Sequence, residues 1–225
     1  LVQLASTPLT ADLAVQWKGV ALPQELVGQP LLTAGSLSAK GSTEHFQAHG
    51  DVSIGPPGEP AHLAVDLAGT PASIALRTLT LKQPKGQLVA SGTVDLQPTL
   101  GWQLDVQAKA FDPGELLAGW PGSIDAELHT RGHRQAAGWE ASLALPRLTG
   151  RLRQRALRGK GDLQLSPAGI LAGTLDLASG GSRLYVEGKP GAQNDARLQL
   201  AVASLADWLP GASGRLQGHL VVHGR

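Results

Sequence analysis

Apolar and polar residues alternate with a period of two from end to end of this chain. Phe46, Ala48, Val52 and Ile54 alternate with His45, Gln47, Asp51 and Ser53. Leu63, Val65 and Leu67 alternate with His62 and Asp66, and Trp102, Leu104, Val106 and Ala108 with Gln103, Asp105, Gln107 and Lys109. Trp139, Leu143 and Leu145 alternate with Glu140 and Ser142; Leu198, Leu200 and Val202 alternate with Arg197 and Gln199. A period of two puts each apolar set on one side of a strand, with the other side in water, the habit of antiparallel sheets. Turn clusters punctuate the runs: Gly55-Pro56-Pro57-Gly58, Gln83-Pro84-Lys85-Gly86, Ser166-Pro167-Ala168-Gly169 and Ser179-Gly180-Gly181-Ser182. The pattern predicts roughly a dozen or more strands and no helix of useful length.

A repeat of about ninety residues organises these strands. Leu22-Pro23-Gln24-Glu25-Leu26-Val27-Gly28 returns as Phe111-Asp112-Pro113-Gly114-Glu115-Leu116-Leu117-Ala118-Gly119. Each copy is followed by a proline (Pro30, Pro121) and a strand ending in Lys40-Gly41 or Arg131-Gly132. A degraded third copy reads Leu205-Ala206-Asp207-Trp208-Leu209-Pro210-Gly211, with its strand ending at His223-Gly224. The spacing predicts units of approximately 9–41, 42–132 and 133–225 within one continuous elongated segment, residues 1–225. In the middle copy Asp112 can cap a helix, Pro113 suits its first position and Gly119 stops it. Each unit is therefore read as strands interrupted by a short helical plug. Such units must stack to bury their apolar sides, which predicts an elongated, curved antiparallel sheet.

Composition narrows the chemistry. The chain has 225 residues, 42% hydrophobic and 16% charged, a folded composition, and no apolar run long enough to span a bilayer. It opens on Leu1 and has no methionine, so the expectation is a piece of a longer protein. With no cysteine, a disulfide framework, a thiolate zinc site and a cysteine nucleophile are excluded. The net charge of +1 gives no general attraction to nucleic acid, and none is expected as a partner.

No catalytic constellation is present. There is no Gly-x-Ser-x-Gly elbow and no phosphate-binding loop. Six of the seven histidines fall in pairs four apart: His45/His49, His129/His133 and His219/His223. On a strand that spacing spans about 13 Å, too far for one metal ion, so they are read as solvated polar-face residues. Asp51, Asp66, Asp95, Asp105, Asp125 and Glu127 are read the same way. Neither a metal nor a cofactor is expected. One basic cluster stands out: Arg147, Arg151, Arg153, Arg155, Arg158 and Lys160, with Arg131 and Arg134 before it. Its first reading is a solvated or edge strand, where charge deters aggregation. Its second is a contact for lipid phosphates or an acidic partner, centred on Arg151, Arg153 and Arg155, which the pattern puts on one face. Of the tryptophans, Trp17, Trp102 and Trp139 fall on apolar faces, and with Trp120 and Trp208 they are read as packing residues.

The stretch from Phe111 to Leu128 resembles a recurring segment of the TamB family, within the AsmA-like proteins of the Gram-negative envelope. The glycine-ended strands Leu88-Val89-Ala90-Ser91-Gly92 and Leu184-Tyr185-Val186-Glu187-Gly188 resemble that family as well. The resemblance implies an internal periplasmic segment of a U-shaped sheet, the β-taco, with a hydrophobic groove. It implies a non-enzymatic part in the translocation and assembly module: phospholipid transport across the periplasm toward the outer membrane, outer membrane biogenesis and protein secretion. Phospholipid acyl chains are then one partner. A TamA-type outer-membrane partner is reached through other parts of the parent protein, and the inner-membrane anchor lies outside this segment.

The candidate groove lining is the apolar set: Leu13, Val15, Trp17, Phe46, Val52, Ile54, Leu63, Val65, Leu67, Leu88, Val94, Leu96, Trp102, Leu104, Val106, Ile124, Leu128, Trp139, Leu143, Leu145, Leu198, Leu200 and Val202. Two alternatives stand beside it. One is a protein-binding scaffold that adds strands of β-barrel or autotransporter precursors to its edges. The other is a closed, adhesin-like or carbohydrate-binding sandwich or solenoid, dry inside. An uncovered apolar face favours the groove; an opposing layer of side chains would remove it.

Overall fold

The computed structural model describes residues 10–55, 59–169, 171–190, 194–205 and 211–224. The alternating runs all become strands. The first seven are β1 (Thr10–Ala21), β2 (Leu32–Ser42), β3 (Phe46–Gly55), β4 (Ala61–Gly69), β5 (Ser73–Lys82), β6 (Gln87–Asp95) and β7 (Gly101–Phe111). The second seven are β8 (Gly122–Gln135), β9 (Gly138–Leu152), β10 (Arg155–Leu165), β11 (Leu171–Ser179), β12 (Ser182–Lys189), β13 (Asn194–Val202) and β14 (Leu216–Gly224). Among the described residues they form one sheet in strict sequence order, every neighbour antiparallel, with β1 and β14 at its open ends. Among the described residues there is no second layer, so this is neither a sandwich nor a solenoid.

Two of the three predicted plugs are in place, and both are very short. The first is α1 (Gln24–Val27), ended by Gly28 in the left-handed conformation with its N–H on the Gln24 carbonyl. The second is a single 3-10 turn at Pro113–Glu115, capped as expected: the Asp112 carboxylate accepts from Gly114 N–H at 2.8 Å and also from Gly122 N–H at 2.7 Å. The third copy's plug, with Trp208, lies outside the described residues, as do Pro56, Pro57 and Gly58 of the first turn cluster. The turns at Gln83–Gly86 and Ser166–Gly169 close with backbone hydrogen bonds of 2.7 and 2.9 Å.

The sheet is curved. The β1–β2 and β7–β8 connections are six strand positions apart, about 29 Å in a flat sheet. Yet Ala118 N–H donates to the Val27 carbonyl at 2.9 Å, and the Gln29 amide donates to the carbonyls of Gly114 and Glu115. Gln83 ties the intervening β5–β6 turn to the same structure through two hydrogen bonds with the Asp112 backbone, 2.7 and 2.8 Å. Leu31, Ala61 and Leu81, three of the few buried apolar side chains, lie at this margin.

Elsewhere burial is incomplete, as a sheet without a covering layer requires. Only six hydrophobic side chains qualify as buried among the described residues. The accessible surface is 14413 Å², whereas a compact domain of this mass exposes about 9,700 Å². The excess is what a single layer leaves open and a two-layer fold would cover.

Candidate functional site

The strand register sorts every side chain onto one of two faces. At mid-height one row crosses the whole sheet: Val15, Leu37, Gly50, Val65, Leu79, Ala90, Val106 and Leu128 from β1 to β8. It continues, past an irregularity in the β8–β9 pairing, as Leu145, Gly161, Leu175, Val186, Leu198 and Leu220. All fourteen positions are aliphatic or glycine. Thirteen strand spacings make the row about 62 Å long, measured along the curve.

All the lining candidates but one share this face, by the same register. Leu96 lies beyond the end of β6, in the connection, where its N–H bonds the Ala72 carbonyl. The middle strands hold their apolar side chains half-buried, while Leu13, Leu220 and Val222 near the sheet's ends are 53%, 56% and 48% exposed. Two tryptophans, one on the end strand β1 and one on the central strand β7, settle their polar atoms inside the apolar face: Trp17 donates to the Thr33 hydroxyl at 3.1 Å and Trp102 to the Thr130 hydroxyl at 3.2 Å. Trp102 covers Gly132 and meets Trp139 at a ring distance of 5.8 Å. The face also includes residues that alternation alone did not single out. In β5, Ile74 and Leu76 are out of phase with Leu79 and Leu81 because a bulge intervenes. In β9, Leu145 and Leu148 straddle another irregularity in the same way. Two short alternating runs offset by one residue are the signal in each case.

The opposite face is polar, and four of its histidines lie beside a carboxylate. His49 faces Asp66 (3.4 Å), His133 faces Glu140 (3.9 Å) and His223 faces Asp195 (2.7 Å). His129 lies between Asp105 (2.5 Å) and Glu127 (3.1 Å). The hydrogen bond to Asp105, then that to Glu127, holds the His129 pKa above the ordinary histidine value. A pKa raised by folding stabilises the fold fully below the unfolded value of about 6.5 and ceases to do so as pH rises through the folded value. The expected result is an imidazole NMR titration for His129 with a midpoint above 6.5 that drops on Asp105→Asn. An unmoved midpoint would dismiss the assignment of cause.

The basic cluster is arranged differently from its expectation. Arg151 lies near the end of β9, Arg153 is in the two-residue turn with φ of +51°, and Arg155 opens β10 opposite Leu152. The hairpin breaks the alternation, so the three do not share one face. Arg153 instead stacks over the Trp120 ring at 5.6 Å. The edge-strand reading also falls, because β9 and β10 are the ninth and tenth of fourteen strands.

These features define a class: an open β-scaffold, apolar along one continuous face and polar along the other, with no helix among the described residues long and apolar enough to cross a membrane. The chain belongs to the TamB family: residues 1–225 match the family described as "TamB, N-terminal domain". That is more definite than the internal segment expected from the motif. No curated protein and no solved structure gives a match. The family is one of non-enzymatic transport scaffolds of the periplasmic envelope, and the chain has a TamB-type role in envelope transport.

Proposed function

We propose that the apolar face is a groove that shields phospholipid acyl chains on their way across the periplasm toward the outer membrane. The observation that carries this reading is the row of aliphatic residues and glycines from Val15 to Leu220, left half-open by its own chain. Burying a methylene is worth about 0.8 kcal/mol, so even partial contact with Leu, Val and Ala side chains accumulates along an acyl chain. The row is chemically uniform, which gives no single deep binding position and lets a chain slide. The link to outer-membrane protein assembly through a TamA-type partner, and the inner-membrane anchor, belong to other parts of the parent protein.

The expected result in native mass spectrometry of the purified chain is co-purified phospholipid, stripped by detergent exchange. A lipid-free spectrum for a folded protein exposed to phospholipid would sink the reading.

A second reading has one observation in its favour. The outermost strand β14 contains no proline, no Asp, Glu, Lys or Arg, and pairs with β13 without irregularity. Natural sheets usually protect such an edge, and an extended segment of a β-barrel precursor could add to it.

A further inference from the structure

Two neighbouring strands of the polar face gather four cations that are in no close ion pair. Arg147 and Arg151 of β9 and Arg158 and Lys160 of β10 are exposed, lie on the polar side by register, and take part in no ion pair among the described residues. The acids across from them hold other partners at hydrogen-bonding distance, and Arg158 and Lys160 act on Asp176 only through space. Glu127, opposite Arg147, binds His129; Asp125, opposite Thr149, accepts from Ala110 N–H; Asp176, opposite Lys160, gives both oxygens to Arg183 at 2.8 and 2.6 Å. Arg158 lies opposite Thr149, diagonal to both Arg147 and Arg151. Like charges at such positions repel, and these interior strands have no edge to protect. Long arginine side chains also carry their charge farther out than the short aspartates beneath them.

The neighbouring connection adds apolar groups. Arg153 N–H bonds the Pro121 carbonyl at 2.6 Å, which fixes the β7–β8 connection at the sheet margin next to the Arg151 end of the strip, and that connection presents Leu117, 44% exposed, and Trp120 under the Arg153 guanidinium. A basic strip beside an indole and an exposed leucine is the composition of a contact with a lipid headgroup layer. An acidic polypeptide would need the charges and would leave Leu117 and Trp120 unexplained.

We propose that Arg147, Arg151, Arg158 and Lys160, flanked by Leu117 and Trp120, form a docking surface for an anionic phospholipid bilayer, separate from the groove on the opposite face. The test is sedimentation of the full 225-residue chain with phosphatidylcholine vesicles, with and without phosphatidylglycerol. Binding is expected only with phosphatidylglycerol, weakening at high salt. Each cation removed lowers it about fivefold, so the combined variant R147Q/R151Q/R158Q/K160Q loses roughly two to three orders of magnitude. The corresponding arginine-to-lysine variant retains binding, since a membrane surface reads charge rather than fork geometry. Exposed positions make these changes harmless to folding, which circular dichroism checks. Val106→Asp, on the other face, leaves vesicle binding intact; if it removed binding, the groove and not the strip would be the contact. Undiminished binding by the four-site variant, equal binding to pure phosphatidylcholine, or binding to poly-glutamate without any to vesicles would each overturn the proposal.

Discussion

Val106→Asp abolishes photocrosslinking of phospholipid to the apolar face while leaving the sheet folded: this is the largest functional effect expected. Val106 lies at the centre of the long row, between Ala90 of β6 and Leu128 of β7's other neighbour, β8. It is half-buried, with no layer above it. A carboxylate there stays hydrated and therefore costs the fold little, whereas burial in a closed core would cost several kcal/mol. An acyl chain laid over the same position would have to desolvate that charge, and the loss falls on lipid contact. The decisive comparison is with Gln107→Asp on the polar face, which is expected to leave crosslinking unchanged. Full crosslinking in folded Val106→Asp would remove the groove reading. If a proline on the outer side of β14 proved more damaging than the charge at Val106, strand addition would become the better account.

Gly92→Ala is expected to produce the largest loss of stability, about 3 kcal/mol, seen as a lower urea midpoint. Gly92 has a φ of +152°, and an added Cβ would lie 2.0 Å from the carbonyl oxygen of Gln103 on the neighbouring strand. That obstacle is backbone, in the middle of the sheet, and cannot move without breaking the β6–β7 ladder. Gly169→Ala is the control: its φ of +78° brings local strain, but nothing lies within 4 Å of the new methyl group. There the cost is about 1 kcal/mol. Equal losses at the two positions would show that the close backbone approach at Gly92 contributes nothing.

The mid-strand glycine also shows how far the sequence could be read. The run Leu88-Val89-Ala90-Ser91-Gly92 reads as a strand, and it is one; that its glycine sits against a partner's carbonyl is visible only once β7 is beside it. Alternation was legible wherever a strand keeps its phase, as in β3, β4 and β7. It misled where a strand slips by one residue, so Leu79, Leu81 and Leu148 escaped the candidate lining although they belong to the same face. The arginines teach the same lesson in reverse. Arg151, Arg153 and Arg155 look like one face of a strand, but a tight turn at Arg153–Gln154 separates them.

By itself the sequence determined that this protein is a succession of one-sided strands punctuated by capped plugs, because a period of two and an Asp-Pro-Gly turn are local properties of the chain. Tertiary structure alone decided what those strands do together. Register, fixed by pairing between distant residues, merged fourteen separate apolar stripes into one face; the contact between the plugs at Val27 and Ala118 curved it. The same pairing left Arg147, Arg151, Arg158 and Lys160 outside every close ion pair, since their opposite acids bind other partners. Pairing partners are chosen across the sheet, and no stretch of sequence read alone contains that choice.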